Sequence, residues 1–250
     1  MDRNYWEKIA PNYEDEIFDV LQNDKSGKIA AAIKKIASQK KSVIDIGCAV
    51  GKWIPLLAKS FGQVIAADIS ATNLKIAKEK YVALDNVEYL RTDMSGNSLT
   101  VTPCDAAICI NAILTDSLKK RINFFHSLSM CLNKGGDLVL VVPSLESKLY
   151  TNIIASRWNV DNDNKVKIAS SKKALELANN IKYGVTDIDN VPTKHYLKEE
   201  LKLLLTLEGF EVKQIEKIKY NWTTEFHNAP EWLKGPYPWD WLCVAKRTAP

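Results

Sequence analysis

From about residue 28 to residue 143, short apolar or β-branched runs alternate with longer segments in which apolar positions recur at helical spacing. The runs are 42–47 (SVIDIG), 64–69 (VIAADI), 87–93 (VEYLRTD), 104–111 (CDAAICIN) and 137–143 (DLVLVVP). Helices are predicted between them over 52–60, 71–82 and 117–132, the last stopped by Asn133-Lys134-Gly135-Gly136. Strand and helix repeated in this way specify an α/β fold, a doubly wound and mostly parallel sheet with helices on both faces. After residue 143 the pattern changes. Residues 145–192 are polar, with helical spacing at 171–182 and a loop-like run at 159–164, which reads as a helical lid insertion over the sheet. An amphipathic helix is predicted over 195–210, then strands at 210–222 and 239–247 joined by an aromatic, proline-rich connection. Two late strands without a helix between them form a hairpin, so one strand of the sheet is antiparallel.

Composition adds little to this and excludes a good deal. The chain has 250 residues, 46% hydrophobic and 26% charged, as expected of one globular domain. Its net charge of +4 is spread among interleaved acids and bases, which is a solvated surface and not a nucleic-acid footprint. The opening residues lack the basic and apolar regions of a leader, and no run approaches the ~18 apolar residues of a membrane span, so a cytoplasmic protein with no membrane partner is expected. Five cysteines without a CxxC pair argue against a disulfide framework and against a metal site; all but Cys48 read as small core residues.

The chemistry concentrates where strands end. In Val43-Ile44-Asp45-Ile46-Gly47-Cys48-Ala49-Val50-Gly51 an apolar strand breaks into a turn of small residues before a helix, as required where backbone must pass close to a ligand. Asp68, next to Ile69, follows about twenty residues later at the end of the second strand, where a carboxylate accepts hydrogen bonds from ribose hydroxyls. Asp93, followed by Met94, ends the third strand, where a carboxylate accepts from an adenine amino group. All three lie at the carboxyl edge of one sheet, the ligand edge of open α/β folds.

Over nearly its whole length the chain resembles the class I S-adenosylmethionine-dependent methyltransferase family. The resemblance rests on the turn of Asp45, Gly47 and Gly51, the acids Asp68 and Asp93, the strand 104–111, the Lys134-Gly135-Gly136 turn and the terminal hairpin. It implies a seven-stranded sheet of order 3-2-1-4-5-7-6 with strand 7 antiparallel, S-adenosyl-L-methionine as cofactor, and a methyl acceptor as substrate. Ala49 stands where the family usually has a second glycine, which bears on where the methionine end of the cofactor lies. Residues 5–13 resemble the N-terminal lid of small-molecule members, with Tyr5 and Tyr13 closing over the cofactor; the competing reading makes these aromatics a staple for a first helix. The chain then divides into lid (1–27), cofactor half (28–143), insertion (144–194) and C-terminal helix and hairpin (195–250).

Methyl transfer from a sulfonium needs alignment and desolvation of the nucleophile, and a base only where the acceptor must lose a proton. No catalytic dyad is evident. Asn111, ending the fourth strand, either faces the reacting methyl or caps a turn. His195, expected to begin a helix, and His227, in the aromatic connection, are the candidate bases against a structural role for each; His126 reads as helix packing. Trp222, Phe226, Trp232 and Tyr237 either wall a pocket for an apolar or cationic substrate or stiffen a hairpin, and Trp239 and Trp241 read as core. The expected acceptor is a small molecule with an O, N or C nucleophile, and the protein a monomer or homodimer. Three alternatives stand beside this. A protein or nucleic-acid methyltransferase of the amino-methylating kind carries an (Asn/Asp)-Pro-Pro-aromatic motif where this chain has Ile110-Asn111-Ala112-Ile113. A nicotinamide dehydrogenase has the GxGxxG that is missing here. A silent S-adenosylmethionine-binding protein shares the cofactor motifs without turnover.

Overall fold

The computed structural model describes residues 3–96, 101–158, 181–188 and 191–248. Its centre is a seven-stranded sheet: β1 (Ser42–Ile46), β2 (Gln63–Asp68), β3 (Val87–Arg91), β4 (Cys104–Ile110), β5 (Leu132–Pro143), β8 (Phe210–Lys219) and β9 (Trp239–Arg247). The spatial order is β3-β2-β1-β4-β5-β9-β8, and β9 runs antiparallel to both of its neighbours. Counted within this sheet alone, that is the expected order 3-2-1-4-5-7-6.

Period-two alternation sends successive side chains of each strand to opposite faces, and both faces are covered. Ile44, Ile46, Ala107, Cys109, Leu138 and Leu140 face one core, against α7 (Leu118–Met130) and α9 (Lys198–Leu207) through Phe125, Leu128, Leu201 and Leu205. Val43, Val64, Ala106, Ile108, Val139 and Val141 face the other, against α4 (Lys28–Ile36) and α5 (Ile54–Ser60) through Ile29, Ile33, Leu57 and Phe61. The β-branched and small residues at these positions fit a pleat buried on both sides. All five cysteines are buried and unpaired, so they pack as small apolar groups.

The helices fall where the spacing put them, with ends set by caps. Ser70 accepts from the Asn73 N–H at the start of α6 (Ala71–Lys80), and Ser117 from the Lys120 N–H at the start of α7. Three expectations are corrected. The helix expected over 195–210 begins only at Lys198, because Tyr196 is drawn into a parallel bridge with Ser144 and Leu197 serves as N-cap. His195 therefore lies in extended chain. The strand expected over 210–222 stops at Lys219, where Tyr220 and Asn221 lead into a 3-10 turn at Trp222–Thr224. His126 is not packed inside; its ring is largely exposed on α7, with Nδ1 3.2 Å from the Glu208 carboxylate.

In the insertion, α8 (Leu145–Trp158) continues directly from β5, and a two-stranded antiparallel hairpin follows, β6 (Val185–Ile188) and β7 (Val191–Lys194). The hairpin had no clear alternation to reveal it. Of the helix expected over 171–182, only Ile181 and Lys182 fall within the described residues, and both are helical; the run 159–164 lies outside them.

Before β1, the chain forms α1 (Arg3–Ile9), a 3-10 turn at Ala10–Asn12, and the short helices α2 (Tyr13–Glu16) and α3 (Val20–Asn23). Side chains fasten this segment to the cofactor half. Both Glu7 carboxylate oxygens receive hydrogen bonds at the start of α6, from the Ala71 N–H at 2.9 Å, the Thr72 N–H at 3.1 Å and the Ser70 hydroxyl at 2.9 Å. The Thr72 side chain foremost, with these three donors and against some burial, holds the Glu7 carboxyl down at about 2. Lys80 pairs with Glu14 at 2.8 Å and Lys52 with Asp19 at 2.6 Å.

Candidate active site

Two adjoining cavities open at the carboxyl edge of β1, β2 and β4. The smaller, about 290 Å³, lies over the ends of β2 and β3. The larger, about 1050 Å³, extends from the first turn toward α8, the β6-β7 hairpin and the start of β9. Gly47, Ala49, Asn111 and Tyr13 border both, so the turn after β1 and the end of β4 mark the junction between them.

The first turn is shaped by backbone constraints. Gly47 has φ +73°, and a Cβ there would lie 2.5 Å from the Cβ of Ala112. Its N–H and that of Cys48 both donate to the Ala67 carbonyl, at 2.8 and 3.0 Å, which locks the turn to the end of β2. Ala49 takes φ +48°, a left-handed conformation with a steric cost for any residue bearing a Cβ. What holds it there is Asp68, whose Oδ2 accepts the Ala49 N–H at 2.9 Å while Oδ1 accepts the Ser70 N–H at 2.8 Å. Asp68 thus does more than its expected role required: it fixes the turn as well as walling the smaller cavity. Gly51, at φ +82°, lines neither cavity; a Cβ there would meet Ile54 Cδ1 at 2.7 Å and Tyr81 Cε2 at 2.9 Å, so it serves the packing of the turn on its helix.

Asp45 borders the larger cavity and is 2% exposed. Its Oδ2 is buried without a hydrogen-bond partner. Burial, and secondarily the nearby Asp68 charge, push its carboxyl up to about 7. An unsatisfied buried carboxylate oxygen costs free energy unless a donor arrives, and Asp45 stands in the wall of the cavity. Cys48 lies beside it on the same wall. Asp68, Ile69, Asp93 and Met94 line the smaller cavity, together with Asn73 and Thr92. The Asp93 carboxylate holds the Ser95 N–H and hydroxyl at 2.8 and 2.7 Å. Tyr5 lines the larger cavity from α1.

Asn111 also has positive φ, +49°, and its backbone N–H donates to the Val141 carbonyl. Its Nδ2 donates to Asp240 Oδ2 at 3.0 Å, and Tyr220 donates its hydroxyl to the same oxygen at 2.9 Å. Asp240 and Tyr220 both line the larger cavity. Neither was singled out from sequence, although a carboxylate between two tryptophans in an apolar strand was a signal available to be read.

His195 lines the larger cavity and is buried. Its Nδ1 lies 3.0 Å from the Thr193 carbonyl and 3.1 Å from the Thr186 hydroxyl, and burial pulls its imidazole down to about 4. The carbonyl fixes Nδ1 as the protonated nitrogen. His227 is exposed and borders neither cavity. The aromatic group of the connection also stands apart. Trp222 and Phe226 stack at 5.6 Å in a satellite core with Ile154 and Leu233, Tyr237 packs on its margin, and Trp232 is exposed beside Trp158. Trp222, Phe226, Trp232 and Tyr237 line neither of these two cavities; Trp239, buried in the sheet, lines the larger.

Residues 43–136 match the family model described as a methyltransferase domain. No curated protein matches the chain by sequence. Among solved structures, the chain is similar to the PH0226 protein of Pyrococcus horikoshii OT3, with TM-score 0.63 and 18% identity over 99% of this chain and 100% of that one. It is similar to the N-methyltransferase NodS of Bradyrhizobium japonicum WM9, solved in complex with S-adenosyl-L-homocysteine, with TM-score 0.62 and 11% identity over 99% and 98%. A SAM-dependent methyltransferase of Methanosarcina mazei matches with TM-score 0.60 and 17% identity over 86% and 96%. At such identities the likeness is one of fold, and the fold is that of class I methyltransferases.

Proposed function

We propose that this chain, with a methyltransferase domain at residues 43–136 in a class I fold, transfers a methyl group from S-adenosyl-L-methionine to a small-molecule acceptor held in the larger cavity. The observation that carries the reading is the orphaned Asp45 Oδ2 beside a turn held open by Gly47 and Ala49. A buried acceptor of that kind suits the ammonium group of an amino-acid moiety, and the turn leaves room for its carboxylate and thioether chain. Asp68 is suited to ribose hydroxyls, and Asp93 with the Met94 N–H to adenine. NodS, solved with the demethylated cofactor, shares the fold that places these strand ends together.

When bound, the cofactor supplies an activated methyl on a sulfonium. The chain's task is then positioning and exclusion of water. Asn111 sits at the junction of the two cavities, where donor and acceptor meet. Tyr5 and Tyr13 border the larger cavity from the N-terminal segment, which supports the reading of residues 1–27 as a lid. A cavity of about 1050 Å³, part of it taken by the cofactor's methionine end, is the size of small-molecule sites and favours a metabolite over a macromolecule. The five unpaired cysteines fit a cytoplasmic location. The test is turnover: purified protein incubated with S-adenosyl-L-methionine and a metabolite panel should release S-adenosyl-L-homocysteine with at least one acceptor. Cofactor binding without turnover on any acceptor would leave a binding protein instead.

A further inference from the structure

The acceptor end of the larger cavity holds a polar network whose chemistry selects the nucleophile, given the methyl-transfer reading above. Asp240 is 9% exposed, and its Oδ2 receives both the Asn111 amide at 3.0 Å and the Tyr220 hydroxyl at 2.9 Å. Burial raises its carboxyl above the usual carboxylate range, against the opposing hydrogen bonds from Asn111, Tyr220 and the Ser144 backbone N–H. Its strand position explains the placement. Asp240 pairs with Pro143 at the end of β5, one strand over from Asn111 at the end of β4, so the network spans the carboxyl edge of the sheet beside the cofactor turn.

The network also settles which way the Asn111 amide points. A carboxylate offers only acceptors, so Nδ2 must face Asp240 and Oδ1 must point away from it. That Oδ1 is buried and has no partner. Asn111 holds it there from a left-handed backbone conformation, which asparagine adopts more readily than other L-residues. Asp240 and Asn111 both border the larger cavity, so an orphaned amide carbonyl lies in its wall beside a carboxylate, with the ring of Tyr220 against that of Phe18 at 5.0 Å. A carboxylate ligand has no donor for either acceptor and a hydroxyl has one. A protonated amine has two or three, and aromatic walls suit its charge.

We propose that the methyl acceptor is an amine with at least two N–H donors, and that Asp240 is a catalytic residue that binds it and takes its proton, while Tyr220 positions the carboxylate. The acceptor's ammonium gives one proton to Asp240 and keeps a hydrogen bond to Asn111 Oδ1. The freed nitrogen lone pair then forms the C–N bond as the methyl carbon's bond to sulfur breaks. The bonding pair leaves with sulfur as a neutral thioether, the positive charge passes to the methylated nitrogen, and Asp240 releases its proton to solvent.

The test uses protein saturated with S-adenosyl-L-homocysteine and matched sets of probes: butyl-, cyclohexyl- and benzylamine, with the corresponding alcohols and carboxylates, followed by ligand-observed NMR. At least one amine should bind in preference to its alcohol and carboxylate, and Asp240→Asn should weaken that binding about ten- to hundredfold while S-adenosyl-L-homocysteine affinity stays unchanged. Tyr220→Phe should weaken it severalfold, and carries the test if the Asn variant does not fold. Amine binding unchanged in the variants, alcohols or carboxylates that bind as well as amines, or no amine bound at all would each overturn the inference. Loss of S-adenosyl-L-homocysteine binding by the wild-type protein would instead overturn the methyltransferase reading beneath it.

Discussion

At the scale of single residues, the site is built from side chains that must be absent and carboxylates that must be present. Gly47→Ala would combine a positive φ with a Cβ placed 2.5 Å from that of Ala112, so the turn must move. A loss of about 2–3 kcal/mol in unfolding free energy is expected, with weakened S-adenosyl-L-homocysteine binding; denaturant unfolding and calorimetry check the two parts. Asp68→Ala should weaken cofactor binding by about 1.5–3 kcal/mol, since it removes the anchor of Ala49 and, on the proposed reading, an acceptor for ribose. Unchanged affinity in titration calorimetry would take the ribose role from Asp68. These residues were legible because turn chemistry is local: Asp45, Gly47, Asp68 and Asp93 declare themselves by type and spacing. Asp240 did not, because its role depends on a contact with Asn111 across more than a hundred residues of chain, set by β9 entering between β5 and β8, and Tyr220 acts only through Asp240.

At the scale of elements, strands and helices with strong periodicity were readable, and the segments that close the site were less so. The aromatic connection illustrates the limit. Composition marked Trp222 and Phe226 as pocket or packing, and only the tertiary arrangement shows them stacked in a satellite core while Trp239 reaches the cavity. The N-terminal segment is held chiefly by Glu7 at the start of α6, an ionised carboxylate against free backbone N–H groups. Glu7→Ala should release it, seen as faster limited proteolysis before residue 20 and a higher dissociation rate for the cofactor. The β6-β7 hairpin and its neighbour His195 give a pH signature. The unfolded imidazole titrates near 6.5 and the folded one at about 4, so the unfolded chain takes up a proton that the folded chain lacks as pH falls through that window. His195 therefore contributes nothing to the pH dependence above 6.5, and stability is lost progressively between about 6.5 and 4, by roughly 3 kcal/mol when complete. In His195→Gln the fall in urea-unfolding free energy between pH 7 and pH 4.5 should be correspondingly smaller; an equal fall in both proteins would show that the imidazole is not held neutral.

At the scale of the whole molecule, the sheet order decides the function that is possible. Placing β1 between β2 and β4 opens a crevice at the point where the chain reverses its direction of winding, and Asp45, Asp68, Asp93 and Asp240 lie on that one edge. The antiparallel β9 then brings an acid from the end of the chain to the same edge, which a purely parallel sheet of this length would not do. Fold class and strand order followed from alternation and from family resemblance, whereas the shape of the acceptor cavity depends on the insertion and the N-terminal segment, whose sequences carry little periodicity. The central claim is that this edge holds an adenosyl sulfonium. The most direct measurement is a crystal structure of the protein grown with S-adenosyl-L-homocysteine: the adenosine should occupy the smaller cavity with its ribose on Asp68, and the homocysteine ammonium should reach Asp45. Density for the ligand elsewhere, or none at saturating concentration, would contradict the account.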